Sequence, residues 1–246
     1  MWCDRQIYGI LGGMSSLSPD QVEKIYQNFR APIAELNCGE KCAPYNERGV
    51  PFCCDTHHVI PAAYLEEWDF LQERTNLWHR WETQDKKLQA NLEKQLPQNS
   101  VLIACLGHQQ CQREYRSIAC RAFPFFPYLT REGKFIGLTY YWEYETRCWV
   151  ISNLHIVSLQ YRAEFIAAFE RLFELVPGEL EIYSYQSSRI RRSFAQKGRS
   201  VPLLHRNGLA YKISPRTGRL RKITLDQLPK FGPYLVASKL PFPGES

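Results

Sequence analysis

Nine cysteines are the residues of this chain best able to do chemistry, and seven of them fall into two groups. The first group lies in CGEKCAPYNERGVPFCC, a stretch rich in glycine, proline and charge, and consists of Cys38, Cys42, Cys53 and Cys54. The second group lies in CLGHQQCQREYRSIAC and consists of Cys105, Cys111 and Cys120. Thiols that only fill a core scatter among apolar neighbours, whereas thiolates on bending loops can surround a metal about 2.3 Å away. The spacing therefore predicts metal ligation by thiolates.

The number of thiols leaves the number of metal centres open. Neighbouring side chains diverge, so one thiol of the Cys53-Cys54 doublet can face a centre shared with Cys38 and Cys42 while the other serves a second centre or bridges. Without Cys3, which has no partner in this pattern, eight thiols remain. They equal two sets of four, as two tetrahedral zinc ions or two cubane iron–sulfur clusters need. The sequence does not separate zinc from iron, because both accept four thiolates.

Histidines close to the cysteines add nitrogen to the available ligands. His108 lies midway between two cysteines of the second group, which permits mixed sulfur and nitrogen ligation, and His57 and His58 follow the doublet. The alternative is that each of them is a solvated loop histidine. The sequence also leaves open whether Cys148 joins a centre.

The order C-x3-C, CC and C-x5-C-x8-C, ending in Cys-Arg-Ala-Phe-Pro-Phe at 120–125, resembles the YkgJ-type cysteine-cluster family. The resemblance covers roughly residues 38–128. Members are described as zinc- or iron-chelating proteins, sometimes as iron–sulfur proteins, and the motif also occurs in flagellin lysine N-methylases. The resemblance implies a metal centre but no particular reaction. The chelating positions it implies are Cys38, Cys42, Cys53, Cys54, Cys105, Cys111 and Cys120.

Residues around the last cysteine of the motif suit such a centre. Several thiolates on one divalent metal leave net negative charge, which Arg121 is expected to offset while donating hydrogen bonds to sulfur. The stretch 123–127, FPFFP, is expected to form a stiff apolar wall that limits access of water. The alternative for its aromatic rings is plain core packing.

Helices and strands around the cysteines are indicated by caps and periodicity. Ser18 as N-cap, Pro19 and Gln21 predict a helix over 18–29. A second helix is expected to begin at Pro61, directly after the doublet, with helical character persisting through 82–95. The further expected elements are strands at 101–104 and 135–142 and a helix at 161–176 closed by Pro177-Gly178.

These elements predict an α+β fold. We expect a single compact domain over 1–180, organised round a cysteine-ligated metal centre. A basic, β-rich C-terminal extension over 181–246 is expected to pack on it, because VPLLHRNGLAYKIS and TGRLRKIT read as short strands with a turn at Asn207-Gly208.

Positive charge is concentrated in that extension. The chain has a net charge of +6, yet the segment from Tyr183 to Leu225 alone holds eleven Lys and Arg and no acid, which leaves a net −5 for the rest. Such asymmetry favours contact with an anionic surface. We expect the segment 189–222 to bind an acidic protein surface or nucleic acid, although it carries no known nucleic-acid motif. A merely solvated basic face is the alternative.

Composition and missing motifs narrow the class of protein. With 246 residues, 44% of them hydrophobic and 23% charged, the chain is expected to be globular. No apolar run approaches the roughly 20 residues of a membrane-spanning helix, and the N-terminus lacks the features of a secretory signal, so a cytoplasmic location is expected. The glycines at 9–13 are not followed by regular β–α alternation and predict a flexible turn. No hydrolase or zinc-protease motif is present.

Three hypotheses about function remain open. The first is a metal-binding accessory or assembly-type protein that docks an acidic partner through its basic face. The second is an iron–sulfur redox enzyme or the subunit of a protein-modification enzyme. The third is a nucleic-acid-binding module with a structural metal.

Overall fold

The computed structural model describes residues 6–9, 17–97 and 99–235, and within them the fold is α+β. Helices and strands alternate irregularly along the chain, with short 3-10 turns between them. The helices are α1 (Pro19–Asn28), α2 (Cys38–Cys42), α3 (Leu65–Arg74), α4 (Lys86–Glu93), α5 (Ile118–Ala122), α6 (Trp149–Ser152), α7 (Leu159–Leu175) and α8 (Gly178–Gln196). The strands are β1 (Gln6–Gly9), β2 (Val59–Tyr64), β3 (Trp78–Arg80), β4 (Ser100–Cys105), β5 (Phe125–Leu129), β6 (Phe135–Tyr140), β7 (Val201–His205), β8 (Ala210–Ile213) and β9 (Leu220–Ile223).

Two sheets organise these elements. The first has the order β1-β2-β4-β3, in which β1 runs parallel to β2 and the other pairs are antiparallel. The second has the order β5-β6-β7-β8-β9 and is antiparallel throughout. The long helices α7 and α8 pack on each other, and both also contact the second sheet. Aromatic rings fill the space between these layers: the ring centroids of Phe135 on β6 and Phe173 on α7, for example, lie 5.5 Å apart.

The N-terminal helix predicted from its caps is confirmed. The Ser18 side chain accepts a hydrogen bond from the Gln21 backbone, and the Gln21 side chain accepts one from the Ser18 backbone. These bonds satisfy two backbone N–H groups that have no partner within the helix. The buried face of α1 consists of Val22, Ile25 and Tyr26.

The prediction that the second helix begins at Pro61 is wrong about the first residue of the helix. Residues Val59–Tyr64 form strand β2, completely buried between β1 and β4, and the helix begins only at Leu65. A six-residue apolar run fits a doubly covered strand as well as a helix, and periodicity does not decide between them. The other expected elements are present as part of α4, β4, β6 and α7, with shifted ends.

The C-terminal third continues the second sheet. Strand β7 pairs with β6, opposing Leu204 to Leu138, and β8 and β9 follow outward. The turn expected at Asn207-Gly208 lies between β7 and β8, where Gly208 has a φ of 83° that favours glycine. Residues 178–196 are helical, so the segment expected to be β-rich begins inside α8. The expected boundary at 180/181 falls within this helix.

Two further expectations concern the membrane and the N-terminus. In the parts of the chain that the structure describes, no helix combines the length and apolarity needed to cross a membrane. The flexible turn expected at 9–13 and the unpartnered Cys3 lie largely or wholly outside the described residues.

Candidate metal centre

Eight free cysteines converge on two adjoining cavities. The larger cavity has a volume of about 320 Å³ and the smaller one of about 30 Å³. The larger is lined by Cys38, Cys53, Cys54, Cys105, Cys111 and Cys120. The smaller is lined by Cys38, Cys42, Cys53 and Cys148. All seven sequence-predicted positions are thus brought together, and Cys148 joins them.

The first group of cysteines is placed by two short turns. Cys38 and Cys42 are the first and last residues of α2, four positions apart, so their side chains project from the same face. The Asn37 side chain caps this helix by accepting a hydrogen bond from the Gly39 backbone at 3.3 Å. The doublet lies in a 3-10 turn over Phe52–Cys54, and its two Sγ atoms are 3.9 Å apart.

The second group comes from three different elements. Cys105 ends strand β4, where it opposes Trp78 of β3. Cys111 follows a 3-10 turn, and Cys120 lies in α5. The Ser117 hydroxyl caps α5 by accepting a hydrogen bond from the Cys120 backbone at 3.2 Å.

A buried carboxyl group anchors the start of α5. Glu67, fully buried on α3, accepts hydrogen bonds at 2.7 Å from the Tyr26 hydroxyl and from the Ile118 backbone N–H. Burial raises the pKa of Glu67, and these two donors act against that rise. Glu67 therefore ties α1 and α3 to the helix that carries Cys120.

Burial favours the protonated form of several of these thiols. Burial raises the pKa of Cys42 to about 11 and that of Cys120 to about 12, and it also raises the pKa of Cys38 and Cys105. Nearby sulfurs contribute in the same direction, since thiolates repel one another: Cys38 acts on Cys42, and Cys105 acts on Cys120. A cation bound among these sulfurs would offset the repulsion between thiolates and so favour their ionisation.

Arginine lies against the sulfurs, but not the arginine expected from the sequence. Arg116 Nε donates a hydrogen bond to Cys111 Sγ at 3.0 Å and lines the larger cavity together with Arg113. Burial lowers the pKa of Arg116, but the bond to Cys111 and the charges of Cys111, Cys120 and Cys53 raise it overall. Arg116 is thus placed to offset negative charge on these sulfurs when they ionise.

Arg121, for which that role was expected, faces away from the sulfurs. Its guanidinium donates to backbone carbonyls of Tyr26, Phe29, Glu114 and Arg116, and it lies 4.3 Å above the Tyr26 ring. The expectation is therefore corrected: Arg121 holds the loop that presents Arg116. A planar group with five N–H donors suits this gathering of carbonyl oxygens.

The apolar stretch after Cys120 divides between cavity and core. Phe123 lines both cavities and Pro124 lines the smaller one. Phe125 and Phe126 begin β5 and are buried in the main core. The stretch was expected either to form an apolar wall of the metal site or to pack in the core. The first residues of the stretch line the cavities and the next ones pack in the core, so both alternatives apply.

The three histidines differ in position. His108 lines the larger cavity. His57 Nδ1 lies 3.0 Å from Asp55 Oδ1, and the His58 ring packs on Phe52 at 5.2 Å between centroids. Of the three, His108 alone is among the residues that line the larger cavity. His57 is exposed and fits the alternative of a solvated loop histidine, whereas His58 is half-buried and its Nδ1 has no hydrogen-bond partner.

Two features of the site had little signal in the sequence. Cys148 lies 28 positions beyond the last cysteine of the motif, and only the count of eight thiols pointed to it. Arg116 precedes Cys120 by four positions in a non-helical turn, so its contact with sulfur depends on how Arg121 folds the loop.

The thiols gather without forming a ready-made ligand shell. Across residues 17–97 and 99–235, no three or more Cys, His, Asp or Glu side chains stand in an arrangement that could hold a metal ion as placed. Protonated thiols form weak hydrogen bonds of their own, as Cys42 does to the Gly39 carbonyl at 3.5 Å. Chemically, the donor set is one of soft sulfur ligands, which suit zinc and iron–sulfur clusters.

Comparison of the chain with family models, curated proteins and solved structures gave no match, so the likeness to the cysteine-cluster family rests on the spacing of the residues quoted above.

Proposed function

We propose that this chain is a metal-binding protein whose cysteine thiolates hold a zinc ion or an iron–sulfur cluster at the larger cavity. The observation that carries the proposal is the convergence of eight cysteines from six separate elements and turns on two adjoining cavities. Thiols that served only as small apolar side chains would have no reason to share one place. The spacing that resembles the YkgJ-type family supports the same proposal.

The surroundings of the larger cavity suit a negatively charged centre. Four thiolates on a divalent ion carry a net charge of −2, which is costly to bury without compensation. Arg113 and Arg116 line this cavity, and Arg116 already donates to sulfur. The Gly107 backbone N–H also hydrogen-bonds Cys105 and opposes the effect of burial, which raises the pKa of that thiol. Such contacts are common around metal-bound thiolates and tune their basicity.

Metal content of protein purified without oxygen tests this proposal. We expect zinc, or iron with acid-labile sulfide, bound to the wild-type chain, and we expect the metal of the larger cavity to be lost from a Cys54→Ser, Cys120→Ser double variant. A Cys3→Ser variant, which removes a thiol outside both sequence groups, serves as the matched control and keeps the metal. Wild-type protein without metal, with all of its thiols open to titration in the folded state, would contradict the proposal.

The accessory role that we propose for this metal protein depends on its basic surface, which is smaller than the sequence suggests. Ion pairs within the chain occupy Arg189 with Glu143, Arg199 with Glu145 and Arg206 with Glu170. Arg191 is buried and donates to the Leu129 carbonyl. The exposed charges that remain on the β8–β9 hairpin are Arg216, Arg219, Arg221 and Lys222.

We place the docking of an acidic protein partner on this hairpin. Its four cations lie on one short turn and strand. The one aromatic ring of the described hairpin, Tyr211, already packs against the His205 ring and accepts a hydrogen bond from Asn207, which favours a protein surface over single-stranded nucleic acid. A variant with Arg219, Arg221 and Lys222 changed to Glu is expected to lose co-purifying acidic partners, while its metal content stays unchanged. Loss of nucleic-acid binding in place of partner binding would contradict the choice of a protein.

A second candidate function is supported by the size of the larger cavity. Its volume of about 320 Å³ reaches the lower end of small-molecule sites, about 300–1,000 Å³, and exceeds what one ion needs. An iron–sulfur redox enzyme, or the subunit of a protein-modification enzyme, would use that space for a substrate. A reducible, coloured centre favours this candidate, and colourless zinc favours the accessory protein.

A further inference from the structure

The smaller cavity is surrounded by four sulfurs, one of which lies outside the cysteine motif. We propose that Cys38, Cys42, Cys53 and Cys148 form a second, closed site for a single divalent ion of the zinc type. Cys54, Cys105, Cys111 and Cys120 then make up the centre at the larger cavity. This inference rests on the proposed function, because both sites require reduced thiols that bind metal.

The backbone already presents the four sulfurs from three sides. Cys38 and Cys42 lie one helical turn apart on α2, and Cys53 lies in the turn that follows this loop. Cys148 immediately precedes α6, and α6 packs against α2. Three short and separate segments thus line one small cavity with sulfur. The four side chains do not form a ligand shell as placed, so binding an ion requires them to turn inward to a tetrahedral arrangement.

The size and lining of the smaller cavity fit one ion and little else. A volume of about 30 Å³ corresponds to roughly one water molecule. Apart from sulfur, its walls are mainly apolar and include Ile33, Phe52, Phe123 and Trp149. A metal ion held by all four sulfurs would fill this space and leave no open ligand position, and closed four-sulfur sites are structural. The larger cavity is ten times more spacious and is the place for a cluster or an open metal position.

Backbone N–H groups are available to stabilise sulfur charge at the smaller site. The Ile151 and Val150 backbones hydrogen-bond the Cys148 thiol, and the Phe52 backbone hydrogen-bonds the Cys42 thiol. These donors supply the outer contacts that a buried four-thiolate ion needs. Each bound thiol releases its proton to solvent as the metal–sulfur bond forms.

The doublet is where the two sets of sulfurs meet. Cys53 lines both cavities, whereas Cys54 lines the larger cavity and is not among the residues of the smaller one. Since the two Sγ atoms are only 3.9 Å apart, the two centres are neighbours. This division also explains how adjacent residues can both serve as ligands.

Matched single substitutions test the division. Metal per chain is measured by elemental analysis on anaerobically reconstituted full-length protein, for the wild type, Cys148→Ser and Cys111→Ser. We expect Cys148→Ser to lose one divalent ion and keep the centre at the larger cavity, and Cys111→Ser to show the reverse. Circular dichroism establishes that each variant is folded.

Other outcomes separate the two proposals. If Cys148→Ser keeps the full wild-type metal content, or if the wild type holds one centre that both variants lose, the second site is refuted while the proposed function stands. If the wild type binds no metal, the proposed function itself fails. Should Cys148→Ser not fold, titration of metal-free wild-type protein with Co²⁺ decides. Thiolate-to-cobalt charge-transfer absorbance that saturates at two ions per chain supports two sites, and saturation at one refutes them.

Discussion

Replacement of Arg116 by alanine is expected to weaken metal binding without unfolding the protein. Its guanidinium is partly buried among the sulfurs and donates to Cys111 Sγ at 3.0 Å. The loop that carries it is held independently, because Arg121 binds the Arg116 and Glu114 backbone carbonyls and not the side chains. The substitution therefore removes the positive charge and leaves its support in place.

The size of the effect follows from the type of contact. A hydrogen bond with a charged partner contributes about 1.5–3 kcal/mol, and about 1.4 kcal/mol corresponds to a tenfold change in an equilibrium constant. The expected loss of affinity at the larger cavity is therefore about 10–100-fold, which agrees with the usual effect of removing an outer contact of a metal ligand. Arg116→Lys keeps the charge but not the planar fork, so we expect an intermediate loss.

Competition with a chromophoric chelator at fixed pH and salt measures this loss directly. Arg192→Ala is the matched control, because Arg192 is exposed on α8 and its removal changes net charge by the same amount. We expect the control to bind metal as the wild type does. An affinity of Arg116→Ala within twofold of the wild type would refute the assignment of Arg116 as the group that balances thiolate charge.

Three further predictions concern stability. In the metal-free protein, folding raises the pKa of buried thiols above the ordinary value of 9.0, to about 11 for Cys42 and about 12 for Cys120. Their contribution to the free energy of unfolding is fully present below pH 9 and is lost as the pH rises through the folded-state pKa values. Urea midpoints should therefore fall between pH 9 and pH 11, and a flat profile would contradict the burial of these thiols. Glu67→Ala leaves two buried donors without an acceptor and should lower the free energy of chemical unfolding by about 3 kcal/mol. Glu67→Gln keeps an acceptor oxygen and should lower it clearly less. Equal losses for the two variants would show that the two hydrogen bonds do not stabilise the fold. Arg199→Ala removes two short hydrogen bonds to Glu145 and should lower the free energy of unfolding by about 2 kcal/mol in the same assay. Most of this loss should be recovered when Glu145→Gln is added. If the losses of the two substitutions simply add, the two side chains do not stabilise the fold as a pair.

Features with a local cause were predictable from the sequence, as α1 and α7 illustrate. The first is fixed by its own capping residues at Ser18 and Gln21, and the second by seventeen residues of helical periodicity with Ser158 as its cap. Neither needs information from the rest of the chain. The two cysteine groups, which their spacing marked as candidate ligands, do lie together around adjoining cavities, and their ligation of metal stays a prediction.

Features that depend on tertiary contacts were missed. Strand β2 differs from a helix only through its neighbours β1 and β4, which cover it on both edges. The contact of Arg116 with sulfur depends on a loop that Arg121 folds from the other side. The basic segment was identified by composition, but Glu143, Glu145 and Glu170, which neutralise part of it, lie on remote elements. Charge counting along a sequence does not reveal such pairing.

The most direct test of the central claim is X-ray absorption at the metal edge of anaerobically purified wild-type protein, which counts the atoms bound to the metal. We expect a shell dominated by sulfur at about 2.3 Å, with four sulfurs per metal. A bound metal surrounded mainly by nitrogen and oxygen would contradict thiolate ligation at the two cavities, even if the metal content were as expected.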